Sequence, residues 1–240
     1  MKLYIHYLRK PFYLAFFLLS ILFINACSTT PSTTSTTTLT SKKDSSSDHI
    51  EIDLAPLSAW TERKFVNSTQ YNIKKTAENK PPILIAKSHE SASLLFKKIH
   101  IDLNQTPFIN WQWKVKHIFS KNVDEAQKKG DDFPARIYIA IKPKLGQIKP
   151  RALTYVWASH ASQFSHWTNP YTKNVEILAL QSGPKLTGSW ITEKRNLKQD
   201  LSNFFGQEID SIEGIGIMTD TDNSKTSAEA AYTQLFFSQN

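Results

Sequence analysis

Apolar and polar residues alternate along most of this chain with a period of two. Ile109, Trp111, Trp113 and Val115 alternate with Asn110, Gln112, Lys114 and Lys116, and Ile137, Ile139 and Ile141 alternate with Arg136, Tyr138, Ala140 and Lys142. The pattern returns at Val175, Ile177 and Ala179, at Ile215 and Ile217, and at Ala231, Thr233, Leu235 and Phe237. Successive side chains of a strand point to opposite faces, so this spacing predicts strands with one face on a core. Shorter candidates are Ile50–Leu54, Ile83–Lys87, Ser93–Ile101, Ala152–Ala158 and Ser189–Thr192. Turn-rich stretches at Asn79–Pro82, Asn104–Pro107, Lys142–Pro150 and Thr168–Thr172 separate them. Only Leu197–Phe205 has helical spacing, through Leu197, Leu201, Phe204 and Phe205, with Gly206 as its stop. About ten strands and one short helix predict an all-β, antiparallel β-sandwich, most economically a jelly roll, with an eight-to-ten-strand barrel as the alternative.

Chemistry concentrates between the strands. Asp131 and Asp132 precede Arg136 at the start of the strongest strand. Adjacent side chains diverge in extended backbone, so one carboxylate can face a ligand or cation while the other does not. Arg136 is spaced to pair with a carboxylate bidentately. A solvated turn with a structural ion pair is the plainer reading of the same residues. Asp220, Asp222 and Asn223 follow the Gly-Ile-Gly-Ile strand and suggest an oxygen-rich calcium loop. The full EF-hand pattern fails, with Ala231 where the bidentate glutamate belongs, so a calcium at Asp220 and Asp222 would need help from Asp131 or Asp132. A polar hairpin turn competes with that reading.

A third group is aromatic: Tyr155, Trp157, His160, His166, Trp167, Asn169, Tyr171 and Trp190. Rings with polar edges beside loop asparagines can grip sugars, and Trp157, Trp167, Asn169 and Tyr171 are the candidate contacts; the same rings equally suit a core. The Trp111 and Trp113 face is assigned to the core. His160 and His166 lack partners at zinc spacing. Nucleophile elbows, phosphate loops and dinucleotide fingerprints are absent, so no organic cofactor is expected. A glycosidase-like carboxylate pair drawn from Asp131, Asp132, Asp220 and Asp222 stays open, because its separation is a three-dimensional quantity.

The amino terminus sets the address. Lys2, Arg9 and Lys10 precede an apolar run from Phe12 to Ile24, which is too short to span a bilayer and reads as a signal peptide over residues 1–26. Ile24-Asn25-Ala26-Cys27 resembles a bacterial lipobox, which implies a lipid on Cys27, the one cysteine of the 240 residues. Ser28 after it implies sorting to the outer membrane, facing the periplasm. Residues 27–48 are Ser/Thr-rich and cannot bury enough apolar surface to offset their ordering entropy, so they predict a flexible tether to a domain over 49–240. Its root-mean-square span would be roughly 25 Å. The net charge of +8 falls to +5 once Lys2, Arg9 and Lys10 are removed, and the lysines are scattered. That argues against nucleic acid as a partner.

Several strings resemble one known family: Trp111-x-Trp113-Lys114-Val115, Gly130-Asp131-Asp132-Phe133-Pro134-Ala135-Arg136, Tyr155–Ser159, Trp167–Tyr171, Arg195-Asn196 with Asp200, and Ile217–Asn223. In order, over most of Trp60 to Phe237, they resemble the bacterial domain of unknown function 3047. The resemblance implies secreted bacterial proteins and carries no activity or catalytic residues. The layout is more loosely similar to galactose-binding-like jelly-roll modules, which suggests binding.

The expectation is an envelope lipoprotein whose sandwich binds a carbohydrate or envelope component through Asp131, Asp132, Arg136, Asp220, Asp222 and Asn223, with Trp157, Trp167, Asn169 and Tyr171 alongside. The alternatives are a carboxylate-dependent hydrolase or lyase on envelope glycans, and a structural envelope protein without a small ligand.

Overall fold

The computed structural model describes residues 49–78, 80–143, 145–146 and 150–240. The signal peptide, Cys27 and the tether expected over 27–48 lie outside the described residues. In chain order the strands are β1 (His49–Glu51), β2 (Thr61–Val66), β3 (Gln70–Lys74), β4 (Ile83–His89), β5 (Ala92–Asp102), β6 (Phe108–Val115) and β7 (Ala135–Ile141). There follow β8 (Arg151–Ala158), β9 (His166–Thr168), β10 (Val175–Ser182), β11 (Ile191–Asn196), the helix α1 (Leu197–Phe205), β12 (Ser211–Met218) and β13 (Ser227–Ser238). No helix among the described residues is long and apolar enough to cross a membrane.

The strands form two sheets facing each other as a β-sandwich. A six-stranded sheet runs β11-β6-β13-β4-β3, with β1 also on β13, and a seven-stranded sheet runs β2-β5-β12-β7-β8-β10-β9. Among the described residues every pairing is antiparallel but one: β10 lies parallel to β8. The chain leaves β8 and turns back through the three residues of β9, which pair antiparallel with β10. The sandwich is therefore mixed at this one place, where the sequence pattern predicts an antiparallel neighbour. The jelly-roll layout holds and the barrel alternative does not, since the two sheets remain separate.

The core lies between the sheets and is built from the residues that alternation selects. Ile109, Trp111, Trp113 and Val115 of β6 are buried against Ile137, Ile139 and Ile141 of β7 and Leu153, Tyr155 and Trp157 of β8. Trp111 stacks on Tyr155 at 5.4 Å between ring centroids, and Trp113 meets Trp157 at 6.0 Å. Trp157 is thus a correction: it is fully buried on the inner face, and its indole N–H donates to the Gly183 carbonyl at 3.3 Å. A ring in that place stabilises the core and cannot reach a ligand; truncating one such ring costs about 3–5 kcal/mol.

Helix α1 closes one end of the core with Leu197 and Leu201. Asn196 caps it by accepting from the Gln199 N–H at 3.0 Å. Gly206, at φ 63°, ends it in the left-handed conformation that glycine adopts at least cost. Arg195 grips Asp200 with two hydrogen bonds of 2.9 and 2.6 Å, and the Tyr155 hydroxyl donates to the same carboxylate at 2.7 Å. These contacts tie the helix to both sheets.

Candidate functional site

Arg136 organises one end of the seven-stranded sheet. By alternation it lies on the outer face of β7, opposite Ile137, yet it is only 1% exposed. Loops from β6–β7 and β12–β13 fold over it. Its Nε and Nη2 donate to Asp220 at 2.9 and 2.6 Å, and Nη1 donates to Asp131 at 3.2 Å. Nη2 also donates to the Asp131 carbonyl, and the guanidinium lies 4.3 Å from the Phe133 ring centroid. Burial alone would lower the guanidinium's pKa, but Asp131 and Asp220 outweigh it and raise the value well above the ordinary one. Burial pushes Asp220 upward and Arg136 pulls it back. Three N–H donors, two from Arg136 and one from Phe133, meet its two oxygens, so the carboxylate is the form that fits.

The neighbouring aspartates diverge, although Asp131 (φ −77°, ψ 50°) sits in a turn and not in extended backbone. Asp131 turns to Arg136 and to the Asn169 side chain, which donates to it at 3.1 Å. Asp132 turns the other way and accepts from the Asn223 N–H at 3.2 Å, from its Nδ2 at 3.1 Å and from the Ser224 N–H. Asp222 stands close enough for its pKa to rise to about 6, through burial first and the Asp132 charge second. Tyr171 completes the rim: it is 56% exposed, and its hydroxyl donates to Asn223 Oδ1 at 3.0 Å and lies 3.2 Å from the Lys128 carbonyl.

The structure therefore brings Asp131, Asp132, Arg136, Asn169, Tyr171, Asp220, Asp222 and Asn223 into one cluster. They meet as one another's partners, forming a clasp over three loops. Asp132, Asp220 and Asp222 each offer an oxygen within 4.8 Å of the others. An all-oxygen set of this kind suits a hard cation such as calcium. One guanidinium against four carboxyl groups leaves the cluster with excess negative charge, which a cation would relieve. His160 and His166 belong to no such group among the described residues.

A cavity of about 30 Å³ beside the clasp is lined in part by Phe119, Gly130, Asp132, Ser159, His160 and Asn223. That is room for a water molecule or two and not for a sugar. Glu125, which sequence reasoning missed, lines it too. It accepts from three successive N–H groups, Ser159 at 2.7 Å, His160 at 3.2 Å and Ala161 at 2.7 Å. A lone acid in a polar loop carries no signal of such a nest.

The open part of this sheet lies farther along its outer face. Register places Phe96, Gly216, Tyr138, Thr154, Ile177 and Trp167 on one row across β5, β12, β7, β8, β10 and β9. Phe96, Tyr138 and Trp167 are each partly exposed. Trp167 also packs against Phe133, with ring centroids 6.1 Å apart. Gly214 makes room for the Phe96 ring: a Cβ there would sit 2.2 Å from Phe96 Cζ. Phe96 and Tyr138 were also missed, because outward positions of a strand read as solvent-facing whatever their chemistry. The Gly-x-Gly of β12 was the available signal.

A family described as "Protein of unknown function (DUF3047)" matches residues 58–236. The chain belongs to this family. No curated protein matches it in sequence. Among solved structures, the chain is similar to the family 11 carbohydrate-binding module of the cellulosomal cellulase Lic26A-Cel5E of Clostridium thermocellum. The identity is 10%, the TM-score 0.39, and the match covers 77% of this chain and 90% of that one. It is similar as well to a cellulase derived from Cel12A of Rhodothermus marinus, at 9% identity and a TM-score of 0.42, covering 73% and 94%. A third is the xyloglucanase domain of NopAA from Sinorhizobium fredii in complex with cellobiose, at 7% identity and a TM-score of 0.39, covering 78% and 94%.

Proposed function

We propose that this protein binds a carbohydrate of the bacterial cell envelope and does so without cutting it. The carrying observation is the partly exposed aromatic row Phe96, Tyr138 and Trp167 on the outer face of the seven-stranded sheet. Flat ring faces meet the C–H faces of sugars, and such rings contribute beyond simple area burial. The hydrolase alternative needs two carboxyl groups that a substrate can touch. Asp131, Asp132 and Asp220 are each under a tenth exposed and are held by Arg136 or by backbone N–H groups, which counts against it.

In this reading the lipid on Cys27 and the tether hold the domain near the outer membrane on its periplasmic side. A structural calcium at Asp132, Asp220 and Asp222 tightens the clasp. The test is retention of the mature protein on purified envelope glycan, measured by sedimentation. Retention that Tyr138→Ala abolishes supports binding through the row, and no retention on any glycan overturns it. Calcium is tested by thermal unfolding: added calcium raises the midpoint and a chelator lowers it, because a cation bound only to the native state stabilises it by mass action.

A further inference from the structure

Resting on that reading of the outer face, we infer that its ligand is an extended, β-1,4-linked glycan chain lying across the strands, rather than a chain end or a single sugar. Three neighbouring rows of side chains carry the inference. The first is the aromatic row. Phe96 and Tyr138 are two strands apart and Trp167 is three strands beyond Tyr138, so the row spans about 24 Å at the usual strand spacing. A single sugar can cover only one of these rings, whereas a chain covers them in succession.

The second row is low. Gly214, Ala140 and Ala152 are paired neighbours on β12, β7 and β8, next along the strands from Gly216, Tyr138 and Thr154. Ala140 and Ala152 are partly exposed, while Gly214 is buried under the Phe96 ring. The Phe96 ring lies at its Gly214 end, where no side chain stands in its way. Small side chains beside rings leave a shelf along which a flat chain can lie.

The third row is charged. Glu213 meets His100 at 3.3 Å and Lys142 at 3.5 Å, and these three side chains border the strip on the side away from the rings. The strip therefore has an aromatic edge and a hydrogen-bonding edge. A β-1,4-linked chain matches it, because its flat ribbon presents C–H faces to rings and hydroxyls along its edges.

Calorimetric titration of the full mature chain with β-1,4-linked N-acetylglucosamine dimer, tetramer and hexamer tests this. Affinity should rise at least about tenfold from dimer to hexamer, equivalent to about 1.4 kcal/mol. Tyr138→Ala should weaken every oligomer. Trp167→Ala should weaken the hexamer and leave the dimer unchanged. Tyr138→Phe, which keeps the ring, should bind within about twofold of the parent. Glu213→Ala, on the exposed edge, should weaken binding with an unchanged melting midpoint, which separates lost contact from lost fold. Equal affinity for all three lengths, or binding that Tyr138→Ala and Glu213→Ala leave unmoved, overturns the chain-across-the-strands inference while leaving glycan binding intact. Failure to bind any oligomer overturns it too, and retention on envelope glycan then decides whether the broader reading survives.

Discussion

The two outer faces of the sandwich are built by the same alternation and came out chemically opposite. On the six-stranded sheet the outward residues of β6 and its neighbours form a solvated lattice. Gln112 donates to Thr192 at 3.0 Å, Lys114 lies 5.0 Å from the Trp190 ring centroid, and Lys87 and Lys116 share Glu229 at 3.5 and 3.7 Å. Contacts of this kind between exposed chains contribute roughly 0–1 kcal/mol each. On the seven-stranded sheet the outward residues are Gly, Ala, Thr and aromatic in the middle, with a buried arginine clasp at one end. Water satisfies the first face. The second is partly roofed by loops, and where the roof ends it leaves Phe96, Tyr138, Ala140 and Ala152 partly exposed. The six-stranded face can change freely, whereas each position on the other touches either packing or the proposed ligand.

The largest expected effect is at the clasp. Arg136→Met should destabilise the domain by about 3–5 kcal/mol, because Asp220 and Asp131 would be left buried without their cation. Urea unfolding measures this, and a loss below about 1 kcal/mol would mean that the roofed end does not depend on the ion pairs. Gly214→Ala comes next, at about 1–3 kcal/mol, since its Cβ would collide with the Phe96 ring. Pairing it with Phe96→Ala should recover part of the loss, and strict additivity of the two changes would show that the ring does not rest on the glycine.

Asp222→Asn should act in the opposite direction and more weakly. The folded pKa of Asp222, about 6, stands above its ordinary value of 3.8. The native state thus holds a proton that the unfolded chain releases, and the contribution is present below about pH 4 and is lost as pH rises through 6. Discounted for its partly exposed position, the effect is about 1 kcal/mol at pH 7. Asp222→Asn should raise neutral-pH stability by that amount, flatten the slope between pH 4 and 6, and abolish any calcium response. An unchanged slope would place the titrating group elsewhere. Smallest of all, Gln112→Ala and Lys194→Glu on the six-stranded face should shift stability by less than about 0.5 kcal/mol and leave glycan binding alone. A larger loss of binding from either would assign the ligand to the wrong face.

Much of the architecture was legible because it follows from local chemistry. The β6 and β7 alternations place Trp111, Trp113, Ile137 and Ile139 in the core, and α1 starts and stops where its spacing and Gly206 predict. Strands β2 and β3 carried no comparable signal, since β2 is exposed along its whole length at a sheet edge and so needs no apolar face. Short β9 lies outside every stretch that alternation assigns to a strand. The clasp was legible in its members and in one pairing: Asp131, Asp132, Arg136, Asp220, Asp222 and Asn223 were expected in one patch, with Arg136 gripping a carboxylate bidentately as it grips Asp220. That they would satisfy one another depended on loops from distant parts of the chain closing over Arg136.

By itself the sequence determined the alternation, hence a two-faced sheet protein with a tryptophan-rich core, and it marked the chemically loaded loops. Those properties reside in neighbouring residues, where side-chain direction and backbone preference act. Only the tertiary structure decided that β10 runs parallel to β8, that Trp157 faces inward while Arg136 is roofed, and that Phe96, Tyr138 and Trp167 share one row. Pairing direction, register and the closing of loops are set by contacts between residues far apart in the chain, whose energies exist only once both partners are in place.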